Sequence, residues 1–169
     1  MAIAIRMRGS ILAVALLEAV MERTEPQTDR AELQALADRF VAALKRLDSE
    51  AMAACHAVNG VAESPMYATL KGRQAIEDAY RAFMTSFPDA TPDVETVLID
   101  PPCVAIFATM NATHVNEFFG LPGTNRRIEF QIAWLFEIEN GLIARDRRIY
   151  DFTGILLQVG LLRAKPAKP

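Results

Sequence analysis

The sequence predicts an α+β fold in which helices come first and an antiparallel sheet follows, and three observations predict it. Apolar residues recur at helical spacing from Leu33 to Leu47. The second half, from Val94 to Phe152, is filled by four runs in which apolar and polar residues alternate. The last two of these runs meet at Asn140-Gly141, a dipeptide that favours the two-residue turn of a β-hairpin. Helices followed by consecutive strands belong to the segregated α+β pattern.

Each element has its own justification. Asp29 with Glu32 resembles a capping box, and Leu33, Leu36, Ala37, Phe40, Val41, Leu44 and Leu47 form one face of a helix over about 29–46. Asp48 can cap a short second helix from Ser49 to about His56. Asn59-Gly60 reads as a turn, and Val61 to Tyr67 as an edge strand, because Pro65 lacks a ladder donor. A third helix, 73–86, places Ile76, Tyr80 and Phe83 on one face and ends at Phe87-Pro88-Asp89. Strands are expected at 94–99, 103–118, 127–138 and 142–152, then a final helix over 153–161. In the third of these strands Phe130, Ile132, Trp134 and Phe136 share a bulky apolar face that should meet the helices. In the fourth, Asp146, Arg148 and Tyr150 share one face and Arg145, Arg147, Ile149 and Asp151 the other. Polarity alone does not say which of those faces points inward.

The chain has 169 residues, 51% hydrophobic and 23% charged, about one domain's worth. A net charge of -3 argues against nucleic acid as a partner. Cys55 and Cys103 are too few for a disulfide framework and lack metal-ligand spacing, so a reducing cytoplasmic location is the default. The apolar run from Ile11 to Leu17 is too short to span a bilayer. Residues 1–24 read as an N-terminal extension; residues 1–20 are an appended segment, a helix packing on the domain, or a weak export signal, and are expected to be dispensable for folding. The domain is expected over 25–161, with a disordered Lys/Pro tail at 162–169.

Three segments carry a family resemblance: GRQAIEDAYRAFMTSFPD at 72–89, THVNEFFGLPGTNRRIEF at 113–130, and ENGLIARDRRIYDFTGILLQVG at 139–160. Over about 29–161 the chain resembles the SnoaL-like, ketosteroid-isomerase-like branch of the nuclear transport factor 2 superfamily. The resemblance implies a cone, a curved antiparallel sheet wrapped around N-terminal helices with a pocket at its open end, and frequent dimerisation through the sheet. It does not fix an activity, because this cone hosts isomerases, cyclases, epoxide hydrolases and non-catalytic binders. The family's ketosteroid isomerases keep a phenol donor near Phe40 and a carboxylic acid donor near Trp134, while their base falls near Ser64 with Glu63 beside it. Both family donors are therefore replaced, and no meaningful ketosteroid isomerase activity is expected. The last-strand aspartate of limonene-type epoxide hydrolases falls near Arg148, so that chemistry does not carry over either. Polyketide cyclases of this kind use a carboxylate for intramolecular aldol chemistry, and the resemblance points to Asp151 with His114 as helper.

Each candidate has a bland counterpart. Asp151 is a proton-transfer group, an N-cap for the last helix, or a partner of Arg127 or Arg148. His114 is a base or a structural hydrogen-bonding side chain, and Glu63 a base or a solvated edge carboxylate. His56 reads as a helix-end imidazole. Arg145, Arg147 and Arg148 read as a solvated sheet face, with Arg148 and Asp146 alternatively gripping a polar ligand. Tyr67, Trp134 and Tyr150 line the pocket or are plain core with polar tips. The resulting expectation is a pocket that combines Tyr67, Phe130, Ile132, Trp134, Phe136, Arg148 and Tyr150 as ligand-binding residues with Asp151, His114 and Glu63 as catalytic ones. It would bind a mostly apolar small molecule and isomerise or cyclise it by acid/base proton transfer, with no cofactor and no metal. The competing class is a non-catalytic ligand- or protein-binding module of the same fold. A homodimer is expected, because Val104, Ile106 and Ala108 on one face of the second strand, and Phe107 with Thr109 on the other, leave both sides largely apolar. Neither nucleic acid nor a membrane is expected as a partner.

Overall fold

The computed structural model of the protein describes residues 29–163. The elements run α1 (Arg30–Lys45), α2 (Ser49–Ala54), β1 (His56–Ser64), β2 (Ala68–Lys71), α3 (Arg73–Ser86), β3 (Thr91–Asp100), β4 (Cys103–Thr113), β5 (Arg127–Glu139), β6 (Leu142–Tyr150) and α4 (Phe152–Val159). One six-stranded sheet has the order β2-β1-β6-β5-β4-β3. The α+β cone expected from the sequence is the fold observed, and the stretches read as an extension, 1–24, and most of the tail lie outside the described residues.

The helices form for the reasons their sequences give. Asp29 accepts a hydrogen bond from the Ala31 N–H at 3.1 Å, and Leu33, Leu36, Ala37, Phe40, Ala43 and Leu44 make a fully buried stripe. Asp48 caps α2 through the Ala51 N–H at 2.9 Å. Phe40 stands at the centre of the core, with its ring 4.9 Å from that of Phe136 and 5.8 Å from that of Trp134. The β5 face carrying Phe130, Ile132, Trp134 and Phe136 turns inward to the helices, as its bulk requires. Asn140 and Gly141, both at positive φ, make the β5–β6 hairpin turn.

Three expectations change. Asn59-Gly60 is not a turn: both residues lie inside β1, at a break in its register with β6 between His56 and Val61. A side chain at Gly60 would come within 3.0 Å of the Ala57 carbonyl and 3.1 Å of the Ile143 carbonyl, so glycine permits the close strand approach of this bulge. β1 is not the edge strand. It lies between β2 and β6, antiparallel to the first and parallel to the second, so the sheet is mixed. Pro65 is accommodated because the strand stops at Ser64, just before it. Finally, β4 ends at Thr113 rather than near Phe118, because His114 to Arg126 forms an irregular strap tied by the mutual bonds of Phe118 and Leu121.

Candidate functional site

Between the helices and the inner sheet face lies a cavity of about 60 Å³. Leu44, Leu47 and Met52 line it from α1 and α2, and Ala79, Tyr80, Phe83 and Met84 from α3. Ser64, Met66 and Tyr67 close one side. The sheet contributes Met110 from β4, Phe130, Ile132 and Trp134 from β5, and Arg148 and Tyr150 from β6. The cavity is small, since benzene is held by an engineered cavity of about 150 Å³ in another protein. A ring-sized ligand therefore enters only if side chains move. Met66, Phe83 and Met84 are only half-buried, and methionine is the core residue that repacks most readily.

The polar groups of the site come chiefly from β6. Its register sets Trp134 opposite Arg148 and Phe136 opposite Asp146, so Asp146 and Arg148 share the inward side with the large β5 rings. Asp146 is fully buried, and its Oδ2 is a shared acceptor. Arg148 Nε donates to it at 2.8 Å, Tyr80 Oη donates at 3.3 Å, and His56 Nε2 lies 3.3 Å away. His56 Nδ1 faces the Met52 carbonyl at 3.1 Å. The Arg148 guanidinium also stacks over the Tyr80 ring, 4.3 Å from its centroid. Ser64 Oγ and Tyr150 Oη hydrogen-bond at 2.7 Å, tying β1 to the end of β6.

The charges of this cluster answer to one another. Burial alone would raise the Asp146 carboxyl, but the Arg148 charge and the His56 contact outweigh it and hold the group below the usual carboxylate range. Burial pushes the Tyr80 phenol well above its ordinary value, and Tyr150 and Tyr67 are raised by the same cause. The cavity tyrosines are thus protonated hydrogen-bond donors at neutral pH. Three buried polar atoms of the cluster have no hydrogen-bond partner: Trp134 Nε1, Arg148 Nη2 and Asp146 Oδ1. Arg148 Nη2 lies 2.7 Å from the same Asp146 Oδ2, so two nitrogens of the guanidinium face one carboxylate oxygen and make the ion pair together, although only the Nε contact is aligned as a hydrogen bond.

Six of the seven residues expected to bind ligand line the cavity: Tyr67, Phe130, Ile132, Trp134, Arg148 and Tyr150. Phe136 does not. It is packed into the core between Phe40 and His56, because the inward face of β5 extends beyond the end of the cavity. The three residues expected to be catalytic do not converge. Asp151 is exposed, caps α4 through the Gly154 N–H at 2.8 Å, and borders an open groove of about 550 Å³ rather than the cavity. His114 is enclosed near Phe87 and Phe118, with Nδ1 3.0 Å from Thr124 Oγ1, and burial lowers its pKa. Glu63 pairs with Arg145 at 2.9 Å and Arg147 at 3.5 Å, which hold its carboxyl below the ordinary range. Arg145 and Arg147 thus lie on a half-exposed sheet face, as expected, and pair there with Glu63, whereas Arg148, expected on the same solvated face, is buried. His56 directly follows α2 and its Nδ1 faces the Met52 carbonyl in that helix's last turn, as a helix-end imidazole would, but it is the buried first residue of β1 and its other nitrogen faces Asp146. The His56–Asp146–Tyr80 cluster was not evident from sequence, although the alternation of Asp146, Arg148 and Tyr150 on one strand face was a signal for part of it.

Among the described residues no helix is long and apolar enough to cross a membrane, and no cluster of potential metal ligands is found. No curated protein matches the sequence. Solved structures share the fold. AclR, a candidate hydroxylase from Streptomyces galilaeus, is 22% identical, with a TM-score of 0.71 over 80% of this chain and 100% of its own. TsrD from Streptomyces laurentii is 24% identical, with a TM-score of 0.69 over 79% and 98%. IdmH, a candidate polyketide cyclase from Streptomyces antibioticus, is 23% identical, with a TM-score of 0.64 over 75% and 97%. One family, SnoaL-like polyketide cyclase, matches residues 34–159, from within α1 to the end of α4. With the cone and its interior cavity, that match makes this chain a member of the SnoaL-like polyketide cyclase family.

Proposed function

We propose that the protein binds a mostly apolar small molecule inside the cone, with Tyr67, Phe130, Ile132, Trp134, Arg148 and Tyr150 as its contacts. The observation that carries this reading is the composition of the wall, in which aromatic rings and methionines surround a few polar tips. Membership of the SnoaL-like polyketide cyclase family supports it, as does the description of the structural relative IdmH as a candidate polyketide cyclase. The test uses Trp134, the sole tryptophan of the chain. Titration with 2-tetralone, a bicyclic ketone, is expected to change its fluorescence saturably, and Ala79→Phe, which fills the cavity, is expected to abolish the change. No saturable change in the natural protein, or an unaltered one in the filled variant, overturns the reading.

Cofactor-free isomerisation or cyclisation by proton transfer is the chemical extension of this reading. Tyr80 supports it, because its phenol lines the cavity and donates to Asp146, which contacts His56 behind it. Tyr80 would serve both transfers: with its proton passed to the Asp146–His56 pair, the phenolate oxygen takes a proton from the carbon beside the ligand carbonyl, leaving an enolate, and the phenol so formed returns a proton to carbon. Solvent deuterium exchange at the carbons flanking the 2-tetralone carbonyl measures that step. Exchange above the buffer rate, lost in Tyr80→Phe, is expected. A competing reading, a binder without catalysis, has its own support: among the described residues lining the cavity there is no carboxylate and no imidazole. Saturable binding without exchange selects it.

The cytoplasmic location expected from the two unpaired cysteines belongs to the same reading, as does a homodimer. On the outer sheet face Phe107, Ala133 and Ile149 lie side by side across β4, β5 and β6. Phe107 is 40% exposed and Ile149 61%, an apolar row that a second copy would cover.

A further inference from the structure

Most of the cavity wall comes from the helices and the inner sheet face, but Met66 and Tyr67 come from the turn that joins β1 to β2. β2 is an edge strand and pairs only with β1. Ala68, next to Tyr67, holds φ at 54°, a left-handed conformation that residues with side chains rarely adopt. On the outer side of Tyr67 lies a groove of about 440 Å³ between α3 and the 114–126 strap, lined by Asp78, Arg81, Thr85, Glu117 and Phe119 among others. Tyr67 is the only described residue that lines both the cavity and this groove. Its half-buried ring is the partition between them. The ring leans on Phe119 at the tip of the strap, with centroids 6.1 Å apart. Phe119 is 50% exposed and rests on Phe118 at 4.8 Å and Phe152 at 5.8 Å. The base of the strap is fixed to the end of α3. The Ser86 carbonyl accepts from the Val115 N–H at 3.1 Å, and Ser86 Oγ donates to the Glu117 carbonyl at 2.6 Å. Gly123 presses on Val115 so closely that a side-chain carbon would lie 1.8 Å from the Val115 carbonyl oxygen. The strap is therefore anchored, whereas the Tyr67 turn hangs on an edge hairpin and opens more readily.

We propose that Tyr67 is a gate between the groove and the cavity, and that Phe119 is the stop that holds it shut. The inference rests on the cavity-binding reading above and adds the route by which a ligand arrives. A ring cannot enter a cavity of about 60 Å³ while every wall stays in place. Swinging Tyr67 outward joins the cavity to the groove and leaves the large β5 rings where they are. Phe119 does not line the cavity, so it sets how often the gate opens and not how firmly a bound ligand is held. Loosening it raises the rates of entry and exit by the same factor.

The test follows Trp134 fluorescence in stopped-flow mixing of the full chain with 2-tetralone. The contact of one aromatic pair shifts an equilibrium by about 2- to 12-fold. Phe119→Ala is therefore expected to raise kon and koff each by a factor in that range and to leave Kd unchanged. Phe119→Tyr keeps the ring and is expected to keep the natural rates. Both changes fall at an exposed strap tip, so the fold is expected to survive, with melting temperatures as the control. Saturable binding with neither rate raised in Phe119→Ala overturns the gate while the cavity reading stands. A rise in koff alone, with Kd weakened in proportion, makes Phe119 a ligand contact and also overturns the gate. No saturable signal from the natural protein overturns both.

Discussion

The Asp146 carboxylate and the His56 imidazole meet in the core 3.3 Å apart, and neither side chain is exposed to solvent. The other nitrogen of His56 faces the Met52 carbonyl, so both ring nitrogens look at acceptors. A neutral imidazole can donate to only one of them. Arg148 and Tyr80 complete the set around Asp146 Oδ2. A carboxylate buried with this many donors is costly to remove, because each partner is left in a dry environment without an acceptor.

Asp146→Asn is accordingly expected to cost about 3–5 kcal/mol, the range for breaking one partner out of a buried ion pair. The pH dependence follows from its depressed pKa. A carboxyl bound more weakly by protons in the folded state contributes stability that is fully present above its unfolded value, near 3.8. That contribution is lost as pH falls through the lower folded value. Denaturant unfolding at pH 7 and at pH 3 should therefore show a steeper acid loss in the natural protein than in Asp146→Asn. Equal slopes would mean that Asp146 is not the ionised centre of the cluster.

Met84→Ala should separate stability from ligand access. Met84 lines the cavity and is half-buried, so truncation is expected to cost about 2 kcal/mol, the low end for methionine deletions. The space released adds to a cavity too small for a ring. Naphthalene should bind more tightly to the variant while its melting temperature falls, by NMR titration and calorimetry. A loss of both would show that Met84 contacts the ligand rather than occupying its place.

Asp151 separates capping from chemistry. Its carboxylate is exposed and holds the Gly154 N–H, and a side chain at Gly154 would lie 2.4 Å from Asp151 Oδ2, which ties the two residues to one turn. Asp151→Asn should leave stability and deuterium exchange of 2-tetralone unchanged, since asparagine caps about as well as aspartate, whereas Asp151→Ala should cost about 1 kcal/mol. Loss of exchange in Asp151→Asn with an unchanged melting temperature would return the proton-transfer role to Asp151.

Much of this architecture was legible because bulk and period agree. Phe130, Ile132, Trp134 and Phe136 alternate with Glu129, Gln131, Ala133 and Leu135, so only one face of β5 could meet the helices. The next strand was not legible for a physical reason. It carries charge on both faces, Arg145 and Arg147 on one, Asp146 and Arg148 on the other, and polarity cannot choose between them. Register chooses, by setting Asp146 against Phe136 and Arg148 against Trp134. The β1 error has a similar origin. Asn59-Gly60 is a turn signal in isolation, and only the approach of the Ile143 carbonyl shows that the glycine serves a bulge. The catalytic candidates were drawn from chain position in a family pattern, which says nothing of whether a side chain turns into the cone or, as with Asp151, caps the helix after it.

The outer sheet face yields the last prediction. Phe107, Ala133 and Ile149 form a row across three adjacent strands, with Leu98 on β3 a further exposed apolar residue at 55%. Glu95 and Glu129 border the groove beside this row, so an added acid there meets like charge. If two copies meet face to face on this surface, Ile149→Glu places a buried, unpaired carboxylate in the interface of each copy, near the symmetry-related one. Multi-angle light scattering at micromolar concentration should give a dimer mass for the natural protein and a monomer mass for Ile149→Glu. The variant should keep its fold, because Ile149 is 61% exposed and belongs to no core contact. Naphthalene binding, expected in the cavity on the opposite side of the sheet, should survive in the monomer. A monomer mass for the natural protein removes the dimer, and a dimer mass for Ile149→Glu moves the interface to another surface.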